Sequence, residues 1–528
     1  MAKSLSILAK YSDPIIDISL NTINLNKQAI VFVNTKRGAE SQAEKIAMKI
    51  KTEKSELFEL SEKILNVLSK PTRQCTRLAN CIKRGIAFHH AGLASKQREL
   101  VEDNFRAGLV KVICATPTLA MGLDMPAFRV IVRDLKRYGG PWGMTDIPVL
   151  EYEQQAGRAG RPGHEDYGEA ICIAKTEVEK ENIFEKYVHG EPESIYSKLA
   201  VEPVLRTYVL SLIATDFVRD RESLFRFFDK TFYAHQYSDL DKLHLILEKI
   251  IGLLDEWEFI KLPEREDFVS GNEIGTEKYE VTLLGKRVSE LYLDPYTAHF
   301  IITCLRKATS KHTESFSYIG MVTSCLEIRP LLRVKISEYE TVQEKMLPFM
   351  SSLLKEEPSQ FSEEYDEFLN SMKTALFFQD WINEFDEEYL MENYDIRPGE
   401  IKAKQDIADW LLYSAEELAR ILQFQPLIKD IIKLRFRLKH GAKEELLPLI
   451  KLRGIGRVRA RKMFKNKMKS LTDIKSADIM TLAQLIGKAA AISVKKQLGQ
   501  EFDPKKIIVK ENKRKGQISL KDYETKKK

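Results

Sequence analysis

The segment Gln154–Arg161 has residue types and a spacing that suit the binding of a phosphate. It reads QQAGRAGR, a pattern of the form QxxGRxGR. Because residues three apart lie on the same side of a helix, we expect Arg158 and Arg161 to point at one anion. The glycines between them leave room for a nucleotide or another domain to approach. Two permanently charged guanidinium groups suit a phosphoryl-transfer transition state, so the pattern predicts arginine-finger chemistry; a glycine-rich turn with two surface arginines is the alternative.

A second candidate segment, ATPTLAMGLDMP at residues 115–126, follows an apolar run typical of a strand. Hydroxyl and backbone N–H groups at a junction between a strand and a helix are well placed to bind phosphates. The carboxylate of Asp124 can accept a hydrogen bond from a ribose hydroxyl. Taken alone, the segment would also fit an ordinary turn between a strand and a helix.

Two further segments upstream are FHHAGL at residues 88–93 and AIVFVNTKRGAE at residues 29–40. His89 and His90 are the residues that could suggest a metal site. Adjacent residues at the end of a strand point to opposite faces, and no cysteine or aspartate has a suitable ligand spacing. We therefore predict no metal site here.

Near the carboxyl end, LRGIGRVRAR at residues 452–461 matches the GxGxxxA core of a helix-hairpin-helix. A glycine turn lets backbone N–H groups at a helix start meet a phosphate. Residues 451–470 contain nine Lys or Arg and no acidic residue. These features predict sequence-independent DNA binding through Gly454, Gly456, Arg457 and Arg459, with a purely structural turn as the alternative.

The alternation of β-type and helical runs over the first 180 residues indicates a parallel sheet flanked by helices, with ligand sites at the carboxyl ends of its strands. The predicted strands are Ala29–Val33, Ile86–His89, Val110–Ala115 and Ala170–Ala174, and the predicted helices are Ala39–Ile50 and Ser95–Ala107. Helical runs then lead to two β-type runs, Phe259–Leu262 and Tyr279–Thr282, which suggests a winged helix. Residues 301–440 are almost wholly helical, which indicates a bundle.

We therefore expect a multidomain protein, α/β at its start and mostly α beyond, since 528 residues suit about three to five domains. The predicted divisions are a parallel-sheet domain at 1–185, a winged helix at 186–300, a helical bundle at 301–440, a helix-hairpin-helix domain at 441–500 and a basic flexible tail at 501–528.

The net charge of +6 hides an uneven distribution. Residues 441–500 carry a net charge of +10 and residues 501–528 one of +5, which leaves the first 440 residues at −9. A basic end on an acidic body suits a phosphate-binding module, with a solvated lysine-rich surface as the alternative. No apolar run approaches the roughly 18 residues of a membrane helix. Six scattered cysteines without a CxxC pair suit a reducing cytosol rather than a disulfide framework or a zinc finger.

In chain order, four of these segments resemble motifs IV, IVa, V and VI of the superfamily 2 helicases in their order and spacing. Residues 29–40 correspond to motif IV, 88–93 to IVa, 115–126 to V and 154–161 to VI. FHHAGL and PTLAMGLDMPA are similar to the wording of the Ski-like branch. Within that branch, residues from about 25 to 500 resemble the archaeal Hjm-type DNA repair helicases, which are related to eukaryotic HELQ. The resemblance includes GEPE at residues 190–193 and KHGAKEELL at residues 439–447.

This resemblance implies a RecA-like first domain, a ratchet function for the helical bundle and a role for each motif. Arg158 and Arg161 would be the finger residues. The residues implied to contact the nucleotide are Gly122, Asp124, Gln154, Arg158 and Arg161. The residues implied to contact the DNA backbone are Thr35, Arg37, His90 and Thr116.

Between motifs V and VI the family carries a β-hairpin that splits the duplex. By resemblance it would span about Val130–Val149 here, with Tyr138 and Trp142 near its tip. Aromatic rings at that place could stack on an opened base pair. Local packing of the two rings is the alternative.

Trp410 lies in a segment with helical periodicity that resembles the ratchet helix of the family, whose tryptophan stacks on a base of the tracking strand. The family places an arginine two turns earlier, where this sequence has Ala403. Lys402 and Lys404 flank that position and are expected to point elsewhere. A buried core tryptophan is the alternative. In the tail, Gln517, Leu520 and Tyr523 resemble a sliding-clamp-binding box, with Glu524 in place of the usual second aromatic residue.

A helicase motor also needs a GxxxxGK[ST] loop for the phosphates and a DExH carboxylate for Mg²⁺, and the sequence contains neither. About 28 residues precede the first motif, fewer than an ordinary domain needs. We expect the chain to be the C-terminal portion of such a helicase and not to hydrolyse ATP alone. A P-loop half, which would hold Mg²⁺, would come from a separate polypeptide or has been lost.

With that half, the family resemblance implies ATP-driven movement from 3′ to 5′ on single-stranded DNA and unwinding of forked duplexes in replication-fork repair and recombination. The expected location is the archaeal cytoplasm, in association with the nucleoid. The alternatives are a DNA-binding module that has lost its motor and a subunit of an RNA helicase.

Overall fold

The computed structural model describes residues 6–51, 54–68, 70–121, 125–138, 143–160, 166–199, 201–237, 240–262 and 278–501. The chain divides into two compact units. The first comprises residues 1–300 and 387–407, and the second comprises residues 301–386 and 408–528. The segment 387–407 thus belongs to the first unit although it lies within the predicted bundle of 301–440. The division into five domains stays a prediction.

A parallel sheet of five strands forms the core of the first unit, in the order β2-β3-β1-β4-β7. Its neighbours pair in register, so that Ala29 lies opposite Val112 on one side and Arg129 on the other. The strands in the described part of the chain are β1 (Ala29–Phe32), β2 (Ile86–His89), β3 (Val112–Ala115), β4 (Arg129–Val132), β5 (Lys136–Tyr138), β6 (Met144–Asp146), β7 (Glu169–Cys172), β8 (Ile260–Lys261) and β9 (Glu280–Val281). The central strands are buried along their whole length, as expected where helices cover both faces.

The sequence predictions of a parallel sheet and a mostly helical remainder are confirmed. One boundary is wrong: the predicted hairpin of Val130–Val149 begins inside β4, whose residues Arg129–Val132 pair in parallel with β1 and β7. The hairpin itself consists of β5 and β6, which pair antiparallel with Lys136 opposite Asp146. A second antiparallel pair, β8 with β9, lies where the winged-helix hairpin is predicted.

Helices surround the sheet and make up most of the rest of the chain. The helices up to residue 308 are α1 (Pro14–Asn24), α2 (Lys36–Ala47), α3 (Ser55–Leu65), α4 (Arg73–Ile82), α5 (Ser95–Arg106), α6 (Val149–Ala156), α7 (Glu177–Ile183), α8 (Glu202–Ala214), α9 (Arg221–Phe228), α10 (Phe232–Gln236), α11 (Leu240–Glu256), α12 (Leu283–Glu290) and α13 (Pro295–Ala308).

The later helices are α14 (Ser315–Thr323), α15 (Tyr339–Met346), α16 (Glu364–Ile382), α17 (Glu387–Tyr394), α18 (Pro398–Ile421), α19 (Gln425–His440), α20 (Leu447–Ile450), α21 (Arg457–Lys465), α22 (Leu471–Ser476), α23 (Ile479–Ile486) and α24 (Lys488–Gln497). Within the second unit, buried residues between Ala442 and Val494 form a small core of their own. Among the helices that the structure describes, none combines the length and the apolar character needed to cross a membrane.

Candidate functional site

The carboxyl ends of three neighbouring strands bring together residues that are far apart in the chain. β2, β3 and β1 lie side by side in the sheet. Thr35, His90 and Thr116 follow β1, β2 and β3 respectively, so all three lie at one edge. This is the edge at which open α/β sheets bind their ligands. We call it the sheet edge below.

At the sheet edge, the loop after β1 ends in a helix cap. The Thr35 hydroxyl accepts a hydrogen bond from the N–H of Gly38 at 2.9 Å and so caps α2. The helix begins at Lys36, earlier than the predicted Ala39. A Cβ atom at Gly38 would lie 2.7 Å from that hydroxyl oxygen, so the turn needs a glycine. Arg37 is exposed, and its Nη2 donates to the two carboxylate oxygens of Asp395 at 2.9 and 3.1 Å.

Thr116 is largely buried at the end of β3. Its hydroxyl lies 2.9 Å from the hydroxyl of Thr118, and its N–H donates to the carbonyl of His89 at 3.2 Å. Thr118 is exposed, so it presents the more accessible of the two hydroxyl groups to solvent. Thr118 therefore offers a second hydroxyl group beside Thr116, the residue that is predicted to contact the DNA backbone.

His90 differs from its predicted role, because its side chain is fully buried. Its Nε2 lies 3.2 Å from the carboxylate of Glu40, and its Nδ1 accepts from the N–H of Gly92 at 3.1 Å. With both ring nitrogens occupied inside the domain, the side chain has no surface to offer DNA. His89 instead contacts Glu102 at 2.8 Å, so the adjacent histidines face different helices. No cluster of three or more His, Cys, Asp or Glu that could hold a metal ion occurs among the described residues.

Glu40 itself is a buried carboxylate whose charge is stabilised from several sides. Burial alone would raise the pKa of Glu40. Hydrogen bonds from His90 and Gln74 and the charges of Arg397 and Arg77 outweigh it and lower the pKa of Glu40 to about 2. The group is therefore ionised at neutral pH.

The loop that contains Arg158 follows the end of a helix. α6 ends at Ala156 with Gly157 at its cap, so the expectation that Arg158 and Arg161 share one side of a helix is wrong for Arg158. After the cap, Ala159 pairs with Ala127 in a parallel bridge, and Gly160 has a left-handed φ of 95°. Two glycines and this bridge turn the chain away from the helix axis.

The guanidinium of Arg158 lies against the segment that follows β3. Its Nε and Nη2 donate to the carbonyl of Ala120 at 3.2 and 2.5 Å. The backbone reinforces this contact, because the N–H of Ala127 donates to the carbonyl of Arg158 at 2.9 Å. Motifs V and VI are thus in contact, and Gln154 is exposed on the last turn of α6 beside them.

Several predicted residues lie outside the part of the chain that the structure describes. They are Gly122, Asp124, Trp142, Arg161, Gln517, Leu520 and Tyr523. Tyr138 is described: it ends β5 opposite Met144, and its side chain is strongly exposed near the predicted tip of the hairpin.

Trp410 lies on α18 and is partly buried. Ala403 is exposed on the same helix, whereas Lys404 is buried and Lys402 pairs with Asp406. Burial lowers the pKa of Lys404, with an opposing contribution from the charge of Glu400. Neither lysine takes the place of an arginine at position 403.

The glycine turn at residues 452–456 leads directly into α21. Gly454 has a left-handed φ of 82°, and Gly456 is the cap residue at the start of the helix. Arg459 is exposed and its Nη1 donates to the carbonyl of Gly454 at 2.7 Å. The turn thus joins α20 to α21 with an arginine folded back on it. The helix-hairpin-helix stays a prediction.

Arg457 and Arg461, on the same helix, contact the end of α16. The Arg457 guanidinium lies 4.2 Å from the centre of the Trp381 ring, and its Nη1 donates to the carbonyl of Phe385 at 3.1 Å. Arg461 donates to both carboxylate oxygens of Glu384 at 2.7 and 2.6 Å. Arg457, predicted to bind DNA, thus has a structural contact that the sequence did not indicate.

Sequence analysis missed the carboxylates at the sheet edge. Glu40 lies within motif IV but had no predicted role, and no role was predicted for Asp395 or Arg397. Glu40 and Arg397 are separated by more than 350 residues. No local pattern connects residues at that distance.

Comparison with known proteins gives two family matches. The family described as "Helicase conserved C-terminal domain" matches residues 56–163, which include motifs IVa, V and VI. The family described as "Archaeal helicase, domain 4" matches residues 316–441, which include Trp410.

Most of the chain is also similar to proteins named "ATP-dependent DNA helicase Hel308". The relative from Methanococcus vannielii is 38% identical, over 89% of this chain and 66% of the relative. That from Methanocella arvoryzae is 37% identical, over 93% of this chain and 65% of the relative. That from Pyrococcus abyssi is 36% identical, over 95% of this chain and 67% of the relative.

The chain spans about two thirds of the length of these curated relatives. Identity above 30% is sustained over almost the whole of this chain, and it covers the sheet edge, the Arg158 loop and the helices around Trp410. The chain therefore belongs to the Hel308 family of DNA helicases.

Proposed function

We propose that this chain forms the C-terminal part of an ATP-dependent DNA helicase that moves 3′ to 5′ on forked or single-stranded DNA in replication-fork repair and recombination. The contact between Arg158 and Ala120 carries the proposal. It holds a guanidinium at the sheet edge, beside the segment that would grip the nucleotide. The names of the Hel308 relatives support the activity.

Arg158 is suited to act as an arginine finger because its partner is neutral. In the described part of the chain its guanidinium contacts a carbonyl oxygen and no carboxylate, so no neighbouring anion offsets its positive charge. A held but uncompensated guanidinium can stabilise charge on the equatorial oxygens of a transferring phosphoryl group. Gln154, exposed on the preceding helical turn, would help to orient the nucleotide, together with Gly122, Asp124 and Arg161.

The motor needs a P-loop for the phosphates and a DExH carboxylate for Mg²⁺, and these motifs are not among the 528 residues. We place them on a further RecA-like segment, in the same polypeptide or a separate one. In this arrangement residues 1–185 are the second RecA-like domain and residues 186–300 a winged helix. Residues 301–440 form the ratchet domain, 441–500 the helix-hairpin-helix domain, and the tail after 501 is a candidate clamp-binding segment.

The test measures ATP hydrolysis in the presence of forked DNA, with this chain alone and with a candidate P-loop half. We expect activity in the mixture only. Arg158→Ala should lower it about 10³- to 10⁵-fold, the range found for arginine fingers. Arg226→Ala is the matched control, because Arg226 is an exposed arginine paired with Glu222 on α9, far from the motifs in sequence.

Two results would contradict the proposal. If the mixture is silent while the chain alone binds DNA tightly and in a salt-dependent way, the chain is a binding module without a motor. If RNA forks stimulate hydrolysis and DNA forks do not, the substrate is RNA. The clamp-binding part is separate, and loss of clamp binding in a Gln517→Ala variant would support it.

A further inference from the structure

A buried carboxylate, Glu40, lies beneath the sheet edge. Only 2% of its surface is exposed. Its Oε1 accepts from Gln74 Nε2 at 2.8 Å and lies 3.2 Å from His90 Nε2 and 3.4 Å from Arg397 Nε. Its Oε2 faces Arg77. One side chain on α2 thus contacts α4, the turn after β2 and the residue that precedes α18.

The contact with His90 is directional. The N–H of Gly92 donates to Nδ1 of His90, so Nδ1 carries no proton and the neutral ring must be protonated at Nε2. That Nε2–H then donates to Glu40. The carboxylate therefore fixes both the tautomer and the orientation of the ring, and through the ring it fixes the turn from His90 to Gly92.

This turn is packed against the start of α18, backbone to backbone. The N–H of Gly399 donates to the carbonyl of Gly92 at 3.1 Å. A Cβ atom at Gly399 would lie 2.2 Å from the carbonyl oxygen of Ala91 and 2.4 Å from that of Leu93. Only glycine allows such an approach, so a small change in the turn must move α18 or break the contact.

Side chains around this packing also attach residues 395–400 to α2. Arg397, whose side chain is 14% exposed, reaches Glu40. Lys36 pairs with Glu400 and Arg37 with Asp395. We call residues 387–407 the clasp, because they belong to the first unit and contact the start of α2 and the turn after β2.

We infer that Glu40 is a positioning residue for DNA binding: through His90 and Arg397 it holds the clasp on the sheet edge and so sets the place of Thr35 and Arg37. The attachment follows from the contacts above, whereas its consequence for DNA rests on the proposed function. α18 continues from the clasp to Trp410, so the same attachment fixes where that helix begins.

The first experiment compares two glutamates on α2 that share a partner. Glu44 pairs with Arg77, as Glu40 does, but among the described residues no hydrogen bond or ion pair joins it to His90 or Arg397. In the full chain without DNA or nucleotide, hydrogen–deuterium exchange is measured on peptides from residues 387–407. Glu40→Gln should speed exchange there at least about tenfold, since removing one partner of a buried ion pair leaves the other charge unpaired. Glu44→Gln should leave it unchanged.

A second variant keeps the test decisive if Glu40→Gln does not fold. Arg397→Gln removes the same contact from the clasp side and leaves the interior of the sheet intact. It should also speed exchange in residues 387–407, with strands β1 and β2 still protected. Exchange in both variants that matches the Glu44→Gln control would overturn the inference.

The second experiment asks whether the clasp matters for DNA. Affinity for single-stranded DNA is measured for Arg37→Ala in the wild-type, Glu40→Gln and Glu44→Gln backgrounds. The loss caused by Arg37→Ala should shrink at least about threefold in Glu40→Gln and stay the same in Glu44→Gln, because only the former displaces the loop. Equal losses in all three backgrounds would sink the positioning role. If the wild type does not bind DNA, the proposed function fails. The exchange data would still test whether Glu40 attaches the clasp.

Discussion

The two surfaces predicted to contact DNA differ in how their cations are balanced. At the sheet edge, Lys36 and Arg37 are paired with Glu400 and Asp395 of the clasp. Around the glycine turn, residues 451–470 hold nine basic residues and no acid. Within the described chain, the exposed Lys451, Lys462 and Lys465 make no ion pair.

The difference teaches that the pairing of Lys and Arg side chains, and not only their number, decides how a surface can bind phosphate. A phosphate that approaches Arg37 must displace a carboxylate, so binding there is an exchange of one anion for another. A phosphate that approaches Lys462 displaces only water and small ions, and the release of those ions drives binding. Under the proposed function, the sheet edge would hold DNA in one position and the glycine turn would increase the affinity.

The largest expected effect is on the pH dependence of the free energy of unfolding. It tests whether Glu40 organises the sheet edge before DNA binds. Because the pKa of Glu40 is lowered to about 2, its ionised form favours the folded state. That contribution is complete above pH 4.5 and is lost as the pH falls towards 2. It amounts to about 3 kcal/mol in the free energy of unfolding.

Glu40→Gln should therefore show a smaller loss of stability than the wild type between pH 5 and pH 3. Urea unfolding followed by pulsed hydrogen exchange at β1 and β2 reports the first unit alone. Glu44→Gln should retain the wild-type pH dependence. A Glu40→Gln curve parallel to the wild type would mean that the carboxylate does not prepare the edge.

The next effect tests whether the basic surface depends on one backbone conformation. Gly454 has a φ of 82°, and nothing lies within 4 Å of the place where a Cβ would be. Gly454→Ala should destabilise the α20–α24 core by about 1–2 kcal/mol through backbone strain alone. Native-state hydrogen exchange at Ala460 and Met463 measures it.

Gly456 supplies the control for that prediction. It has equal space around it and an ordinary φ of −91°. Gly456→Ala should cost less than about 1 kcal/mol, the difference between glycine and alanine at a helix cap. Equal costs at both positions would show that space or capping, and not the left-handed conformation, decides the turn.

The third effect concerns the unpaired lysines. Lys462→Ala with Lys465→Ala should weaken binding to forked DNA about tenfold at roughly 0.1 M salt and make the plot of log affinity against log salt shallower by about 1.8. Lys230→Ala with Lys345→Ala, exposed lysines outside this surface, is the control. An unchanged slope would remove the contrast between the two surfaces.

The smallest effect concerns the paired arginine. Asp395→Asn removes the carboxylate that competes for Arg37, and it should raise DNA affinity about two- to fivefold, since exposed ion pairs contribute little. The gain should vanish in an Arg37→Ala background. A fall in affinity would instead mean that Asp395 orients Arg37 for DNA.

Most of the sheet and the hairpin of β8 and β9 could be predicted because their signals are local, whereas the hairpin of β5 and β6 was expected from the family resemblance. The run Ala29–Val33 is apolar and β-branched, and the structure forms β1 at Ala29–Phe32. Phe259–Leu262 and Tyr279–Thr282 contain the two strands that pair as β8 and β9. β4 was missed because its RVIV run adjoins the hairpin and was assigned to it.

The candidate site was predictable only in part, because its contacts join distant residues. The alternation of strands and helices predicted ligand sites at the carboxyl ends of the strands, and Thr35, His90 and Thr116 follow β1, β2 and β3. Their contacts with DNA stay a prediction. The burial of His90 could not be foreseen, since it depends on Glu40, which is 50 residues away in the chain. The helical reading of the arginine motif failed because Gly157 ends α6 one residue before Arg158.

The contacts of Arg457 and Arg461 have a consequence for dissecting the protein. A chain cut after His440 would keep Trp381 and Glu384 but lose the guanidinium groups that cover and neutralise them. Burial raises the pKa of Glu384, but Arg461 and Lys443 lower it overall. In the shortened chain Glu384 would be left as an uncompensated charge beside a newly exposed indole. Residues 441–500 are thus not a detachable module, and they should be expressed, moved and grafted together with the helices that carry Trp381 and Glu384.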